Sequence, residues 1–212
     1  MPLKIDLHVH SYYSSDSVIS PEDILHYARK QGLDGVAIVD HDRLDGAQRI
    51  AKALDFLVIP GVEISSSGGH VVGLCVSEQV QSGLDVNETV DKIHASNGIA
   101  VACHPTTLFK KSLGNRTTRK FDAVEVINSS ALPFNYSIRR AERLAFSLQL
   151  PRVAGTDAHY GPEIGFAYTL IDAKPKIEDV LEAIRRGRCS PFGQAIPLRL
   201  RMKGKAAATF KR

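Results

Sequence analysis

Residues 4–17 read KIDLHVHSYYSSDS, and the first half of that stretch decides the fold. Ile5, Leu7 and Val9 alternate with Asp6, His8 and His10, which is the period of a β-strand. Alternate residues of a strand face the same side. Asp6, His8 and His10 are therefore expected on one face, and the aliphatic residues on the other, packed on helices. A carboxylate and two imidazoles on an enclosed face are costly unless something satisfies them. A metal ion would.

Downstream, Ser20-Pro21-Glu22-Asp23 has the form of a helix start, with Ser as N-cap, Pro at the first position and acids in the first turn. Ile24, Leu25 and Ala28 form the stripe of that helix, and Gly32 ends it. Strands are expected at 35–40, 56–64, 70–76, 99–103, 122–128, 152–156 and 166–171. Helices are expected at 44–54, around Val86, Val90 and Ile93, over 134–148, and around Ile177, Val180, Leu181 and Ile184. Such alternation of strand and helix points to an α/β fold with a parallel sheet.

The polar residues fall at the ends of the apolar runs. VAIVD runs into His41, VIPGVE ends on Glu63, and His70 opens the next strand. VAC runs into His104, AVEV carries Glu125, and VAGT runs into Asp157 and His159. In a closed α/β barrel the C-terminal strand ends converge on one mouth, where chemistry is placed. Six of the eight histidines lie at such ends, too many for packing alone; His26 and His94 lie within expected helices and read as packing or surface residues.

The 212 residues suit one domain. Three separated cysteines, Cys75, Cys103 and Cys189, argue against a disulfide framework and for a reducing cytoplasm, each as a small buried thiol. Nothing in the sequence resembles a signal peptide, and no apolar run approaches a membrane span. The net charge of +4 is uneven: segments 110–120 and 199–212 hold eleven of the 27 Lys and Arg and no acid, leaving 16 against 23 Asp and Glu elsewhere. An acidic body with basic segments suits cations held by carboxylates and an anionic partner. Residues 1–198 are read as the domain, and 199–212 as a solvated basic tail with no part in turnover of a small substrate.

HVH at 8–10, Asp16, DHD at 40–42, GVE at 61–63, HVVGL at 70–74, HP at 104–105 and GTDAH at 155–159 resemble, in order and strand context, the signature of the PHP family, named for polymerase and histidinol phosphatase. The resemblance implies a distorted seven-stranded (β/α) barrel with up to three metal ions at its mouth, and phosphoesterase chemistry. It implies His8, His10 and Asp157 as ligands of a first ion and Glu63 as a bridge to a second, completed by His70 and His104. Asp16, His41 and His159 would hold a third. Some members carry His where this chain has Asp16. Asp40 either orients a neighbouring ligand or simply ends its strand, and Glu125, off this ligand set, reads as a satisfied barrel carboxylate.

Nine ligands of mixed imidazole and carboxylate type suit two or three Zn, Mn or Fe ions rather than calcium. The nucleophile expected is a hydroxide between the first two ions, held by Glu63 and Asp157 among others. A basic side chain would neutralise charge on the phosphoryl group. Lys110, Lys111, Arg116, Arg119 and Arg139 are the candidates, and the sequence does not choose among them. Cys103 precedes His104, but adjacent strand residues point to opposite faces, so no Cys–His pair is expected. Three functions fit: a phosphoesterase acting on a small phosphorylated substrate such as a nucleotide or histidinol phosphate, a nuclease acting on oligonucleotide ends, and a non-catalytic metal-stabilised module. The basic segments favour the nuclease, and the lone Phe109 disfavours it, since base stacking uses interleaved aromatics. The intact ligand set argues against the third.

Overall fold

The computed structural model describes residues 1–211. The chain runs β1 (Leu3–Val9), α1 (Pro21–Lys30), β2 (Gly35–Ile38), α2 (Asp45–Ala53), β3 (Leu57–Ser66), β4 (Gly69–Leu74), α3 (Val86–Ala95), β5 (Ile99–Ala102), β6 (Ala123–Asn128), α4 (Phe134–Leu148), β7 (Arg152–Gly155), β8 (Ala167–Ile171), α5 (Ile177–Arg185), β9 (Cys189–Gly193) and α6 (Leu198–Lys211). The start of α1 is the capping box its sequence announces. Ser20 Oγ accepts the Asp23 N–H at 3.1 Å, and Asp23 Oδ2 accepts the Ser20 N–H at 3.2 Å. None of the helices is long and apolar enough to cross a membrane, among the described residues.

The strands form one sheet in the order β7-β6-β5-β4-β3-β2-β1-β8-β9. It is mixed, which corrects the expectation of a parallel sheet. The pairs β1–β2, β2–β3, β5–β6 and β6–β7 are parallel, while β3–β4, β4–β5, β1–β8 and β8–β9 are antiparallel. Only Ser67 and Gly68 separate β3 from β4. That is too short for a crossover and long enough for a hairpin. The strand count is nine rather than seven. The short edge strand β9, CSPFG, carries Pro191 opposite Thr169 and shows none of the alternation that betrays a strand.

The sheet curls into a nearly closed barrel, and its seam is made by side chains. Ala154 of β7 donates its N–H to Thr169 Oγ1 of β8 at 2.8 Å, and the same hydroxyl donates to the Ala154 carbonyl at 3.0 Å. One threonine thus occupies a donor and an acceptor that a strand partner would otherwise take. Beyond the strands, the Asp157 N–H donates to the His8 carbonyl (2.7 Å) and the His10 N–H to the Ala158 carbonyl (3.0 Å).

Ile5 and Leu7 pack in a core with Val72, Ile99, Val101 and the α5 residues Val180, Leu181 and Ile184. Val9 instead joins Ile24, Ala28, Val36 and Ile38 in a second core. The simple alternation read from β1 therefore fails: its register shifts between Asp6 and Val9. Asp6 does not join the two imidazoles. Its carboxylate accepts backbone N–H groups from His8, Thr156 and Gly165 at 3.2, 2.8 and 3.0 Å, and the Thr156 hydroxyl as well. No ion is needed to satisfy it.

Candidate metal centre

Glu63, 1% exposed, is the hub of the barrel mouth. Its Oε1 lies 2.8 Å from both His70 Nδ1 and His104 Nε2. Its Oε2 faces a different set: His10 Nε2 and His41 Nδ1 at 3.2 Å and His8 Nε2 at 3.4 Å. Asp157 Oδ1 lies 3.4 Å from His10 Nε2 and 3.8 Å from His8 Nε2. Asp16 Oδ2 lies between His159 Nε2 (3.2 Å) and His41 Nε2 (3.5 Å). All nine ligand candidates named from the sequence therefore converge.

The backbone explains how they converge. β4 is reversed, so His70 at its start lies beside the C-terminal half of β3 and meets Glu63. His104 and Asp157 follow β5 and β7 and take positive φ, +32° and +59°. Non-glycine residues rarely adopt this region, and those that do cluster at functional sites. The turn at His104 also overturns the opposite-faces argument for its neighbour. β5 has ended at Ala102, and the Cys103 thiol reaches Glu63 Oε1 at 3.5 Å, the same atom that His104 meets. Burial, reinforced by Glu63 and Glu125, pushes the Cys103 thiol well above its ordinary pKa. Cys75 and Cys189 are only partly buried.

The donor set fits divalent metal ions. His8 Nε2 and His10 Nε2 face each other at 3.2 Å. Two nitrogens bound about 2.0–2.1 Å from one tetrahedral zinc stand roughly 3.3 Å apart. Glu63 Oε2 has three ring nitrogens within 3.4 Å but none in good hydrogen-bond geometry, and Asp16 Oδ1 is buried without a hydrogen-bond partner; buried polar atoms of that kind require an explanation. The groups His8–His10–Glu63, His10–His41–His159, His41–Glu63–His70 and Glu63–Cys103–His104 each bring their ligand atoms within 4.8 Å of one another.

Charge favours the same reading. Burial opposes ionisation of Glu63, but His8, His10, His104 and His70 outweigh it and hold its pKa well below the usual range. Burial likewise opposes ionisation of Asp157, and Lys110 and His8 overcome it. Burial and the neighbouring His159 lower His10, which favours the neutral imidazole a metal needs.

Further contacts orient the candidate ligands. Glu125 Oε1 lies 3.0 Å from His8 Nδ1, and its Oε2 accepts the His104 N–H (2.8 Å) and the Asn128 amide (2.9 Å). The carboxylate is thus satisfied, and it fixes the orientation of the His8 ring. Asn128, which the sequence reading passed over, also donates to Asp157 Oδ2 at 3.2 Å. Among the described residues, no hydrogen bond joins the Asp40 carboxylate to a candidate ligand side chain. It accepts from Ser11 and from Ser14 Oγ (3.1 Å), and Ser14 Oγ lies 3.4 Å from His10 Nδ1 and accepts the His41 N–H at 3.0 Å.

Of the five basic candidates, the structure brings in one. Lys110 pairs with Asp157 Oδ2. Lys111, Arg116, Arg119 and Arg139 are exposed, and Arg119 bonds to Gln149 at 3.3 Å. His94 pairs with Asp122 at 2.8 Å and His26 packs edge-on against Tyr27, so neither joins the cluster. The segment expected as a solvated basic tail, 199–212, lies within α6 up to Lys211 and is largely exposed, with several of its residues lining a cavity beside Asp16, Asp157 and His159; Arg212 lies outside the described residues.

Fold and donor set together define a metal-binding α/β barrel. The PHP domain family matches residues 6–113, and the PHP-associated family matches residues 135–189. The chain belongs to the PHP family. An uncharacterised protein of Methanocaldococcus jannaschii is 36% identical over 141 residues, covering 60% of this chain and 82% of that protein. A 5'-3' exoribonuclease of Haemophilus influenzae is 43% identical over 81 residues, covering 35% of this chain and 29% of that enzyme. A two-domain protein of Bacteroides vulgatus containing a predicted PHP-like metal-dependent phosphoesterase matches in structure with a TM-score of 0.73. It is 18% identical, over 98% of this chain and 70% of that one, and shows the fold alone.

Proposed function

We propose that this chain is a metal-dependent phosphoesterase that hydrolyses a small phosphomonoester. The observation that carries the reading is the division of Glu63: one carboxylate oxygen faces His70 and His104, the other faces His8, His10 and His41. His8, His10 and Asp157 would hold one ion, His70 and His104 a second shared through Glu63, and Asp16, His41 and His159 a third. Two or three Zn, Mn or Fe ions there would supply Lewis acidity toward a phosphoryl oxygen and acidify water.

The chain's own groups supply the rest. Glu125 holds the His8 ring and leaves its Nε2 turned to the mouth. Ser14, held by Asp40, does the same for His10. Lys110, beside Asp157, sets an ammonium where negative charge would build on a transferring phosphoryl group. Its partner Asp157 is buried while Lys110 is 27% exposed, so water screens the ammonium only in part.

A second reading, a nuclease acting on oligonucleotide ends, is favoured by the likeness to the exoribonuclease and by Phe109, Lys110, Arg201 and Lys205 around one cavity. Phosphate release from a panel of phosphomonoesters, run beside an end-labelled oligonucleotide with Mn, Zn or Fe supplied, separates the two. Turnover of small esters with an intact oligonucleotide is expected. Cleavage of the oligonucleotide with no ester turned over would establish the nuclease instead.

A further inference from the structure

We propose that the C-terminal helix α6 is the leaving-group wall of this site, and that the substrate is a phosphomonoester whose leaving group is an apolar ring system of nucleoside size. The inference rests on the phosphoesterase reading and adds the substrate class. Beside the metal ligands lies a cavity of about 640 Å³, within the roughly 300–1,000 Å³ typical of small-molecule sites. Its charged floor includes Asp16, Asp157, His159 and Lys110.

Its walls carry a cluster of large apolar side chains, with Arg201 and Lys205 of α6 between them. Phe109 and Leu132 come from loops after β5 and β6, and Leu198 and Met202 from α6. These four are 77%, 47%, 73% and 64% exposed. Scattered exposed apolar residues are ordinary, but several around one cavity next to a charged cluster mark a binding surface. An aromatic ring at Phe109 and a thioether at Met202 both suit a ring placed between them. The polar floor then meets the phosphate, and the walls meet the group it leaves.

The helix is built to stand there. Leu198, Arg201, Met202, Lys205, Ala208 and Thr209 all line the cavity, at the spacing of one helical face. Gly204 is buried, and a Cβ on it would lie 2.9 Å from Tyr160 Cβ and 3.2 Å from Glu163 Oε1. Glycine disfavours a helix interior; here it permits close approach to the turn that follows His159. The Arg201 guanidinium donates to the Ser130 carbonyl and, at 3.2 Å, to Ser130 Oγ. These two contacts tie α6 to the loops that follow β6 and β7.

The test is binding, followed by calorimetry and naphthyl fluorescence, of 1-naphthylmethylphosphonate and of methylphosphonate to the full metal-loaded chain. Neither phosphonate can be hydrolysed. The aryl ligand should bind at least about tenfold tighter, the discrimination an apolar pocket supplies. Leu198→Ala and Met202→Ala should each erase most of that preference and leave methylphosphonate affinity within about twofold. Gly204→Val, which forces α6 off the turn, should erase it fully. Equal affinity for the two ligands in the wild type, or a preference intact in both alanine variants, overturns the proposal. An aryl preference that persists while no ester of any kind releases phosphate supports the wall and sinks the phosphoesterase reading, so the two fail separately.

Discussion

His70 and Glu63 meet across a hairpin, ring Nδ1 to carboxylate Oε1 at 2.8 Å. The register pairs Glu63 with Val72 and Ser65 with His70. His70 is therefore the diagonal neighbour of Glu63 on the same sheet face. A histidine that opens its strand reaches a site otherwise assembled from strand ends because that one strand is reversed. His104 approaches the same oxygen from β5, on the other side of β4.

Protein purified without chelator should carry two or more equivalents of Zn, Mn or Fe per chain by elemental analysis. Removing them should leave Glu63 and Asp157 buried among imidazoles that must take up protons, and should lower the melting temperature. Less than half an equivalent after reconstitution would contradict the metal centre.

Glu63→Gln should keep the fold, seen as an unchanged circular dichroism spectrum, and reduce kcat by more than 100-fold. Changes one layer out from a metal cost about 10–100-fold, and Glu63 is the group on which five imidazoles converge. Bound metal should fall as well. A variant with near wild-type rate and full metal would show that Glu63 bridges nothing.

Lys110→Ala should lower kcat/KM about 100-fold, the loss of roughly 3 kcal/mol in the transition state. Lys111→Ala, Arg116→Ala and Arg119→Ala should stay within about threefold, because those residues are exposed and do not line the cavity beside Asp157. Equal modest losses at all four positions, measured on an oligonucleotide and weakening as salt rises, would indicate a backbone-tracking surface instead.

Thr169→Val should destabilise the protein by about 2–4 kcal/mol, since it leaves the Ala154 N–H and carbonyl without the hydroxyl at the barrel seam. Urea unfolding measures this as a lower midpoint with an unchanged slope. A shift below about 0.5 kcal/mol would mean that water or a small backbone movement replaces the hydroxyl.

Metal loading at pH 7 should release protons. Burial disfavours the charged form of His41, but Asp16 and Glu63 outweigh it and push its pKa up to about 9 in the metal-free protein. A ligand must be neutral to bind, so the proton leaves as metal enters and affinity falls as pH falls. Calorimetric titration in buffers of different ionisation enthalpy counts the protons. Binding heats independent of buffer would refute this.

The candidate ligands were legible in the sequence through a family resemblance carried by local motifs. Imidazoles and carboxylates at the ends of short apolar runs cannot be satisfied by those runs, and HVH, GVE and GTDAH stand out against them. The helix start at Ser20 was legible because a capping box lies within four residues. The partners of these groups were not. Whether Glu125 serves His8, or Asp40 reaches His10 through Ser14, depends on contacts spanning 117 and 26 residues.

By itself the sequence determined an α/β chain, a set of polar residues at the ends of its apolar runs that resembles a known metal-site signature, and a net-acidic body outside two basic segments. Only the tertiary structure decided which basic residue enters the site, that Cys103 reaches Glu63 beside His104, and that residues 198–211 form a helix along the mouth. The reason is physical. Residue type and period follow from near neighbours in the chain, whereas strand direction, the left-handed turns at His104 and Asp157, and the landing place of α6 follow from packing between segments far apart in it. Helix α6 shows this most plainly: LRLRMKGKAAATFK has no strong apolar stripe, and it lies where it does because Gly204 and Arg201 find partners more than 40 and 70 residues earlier.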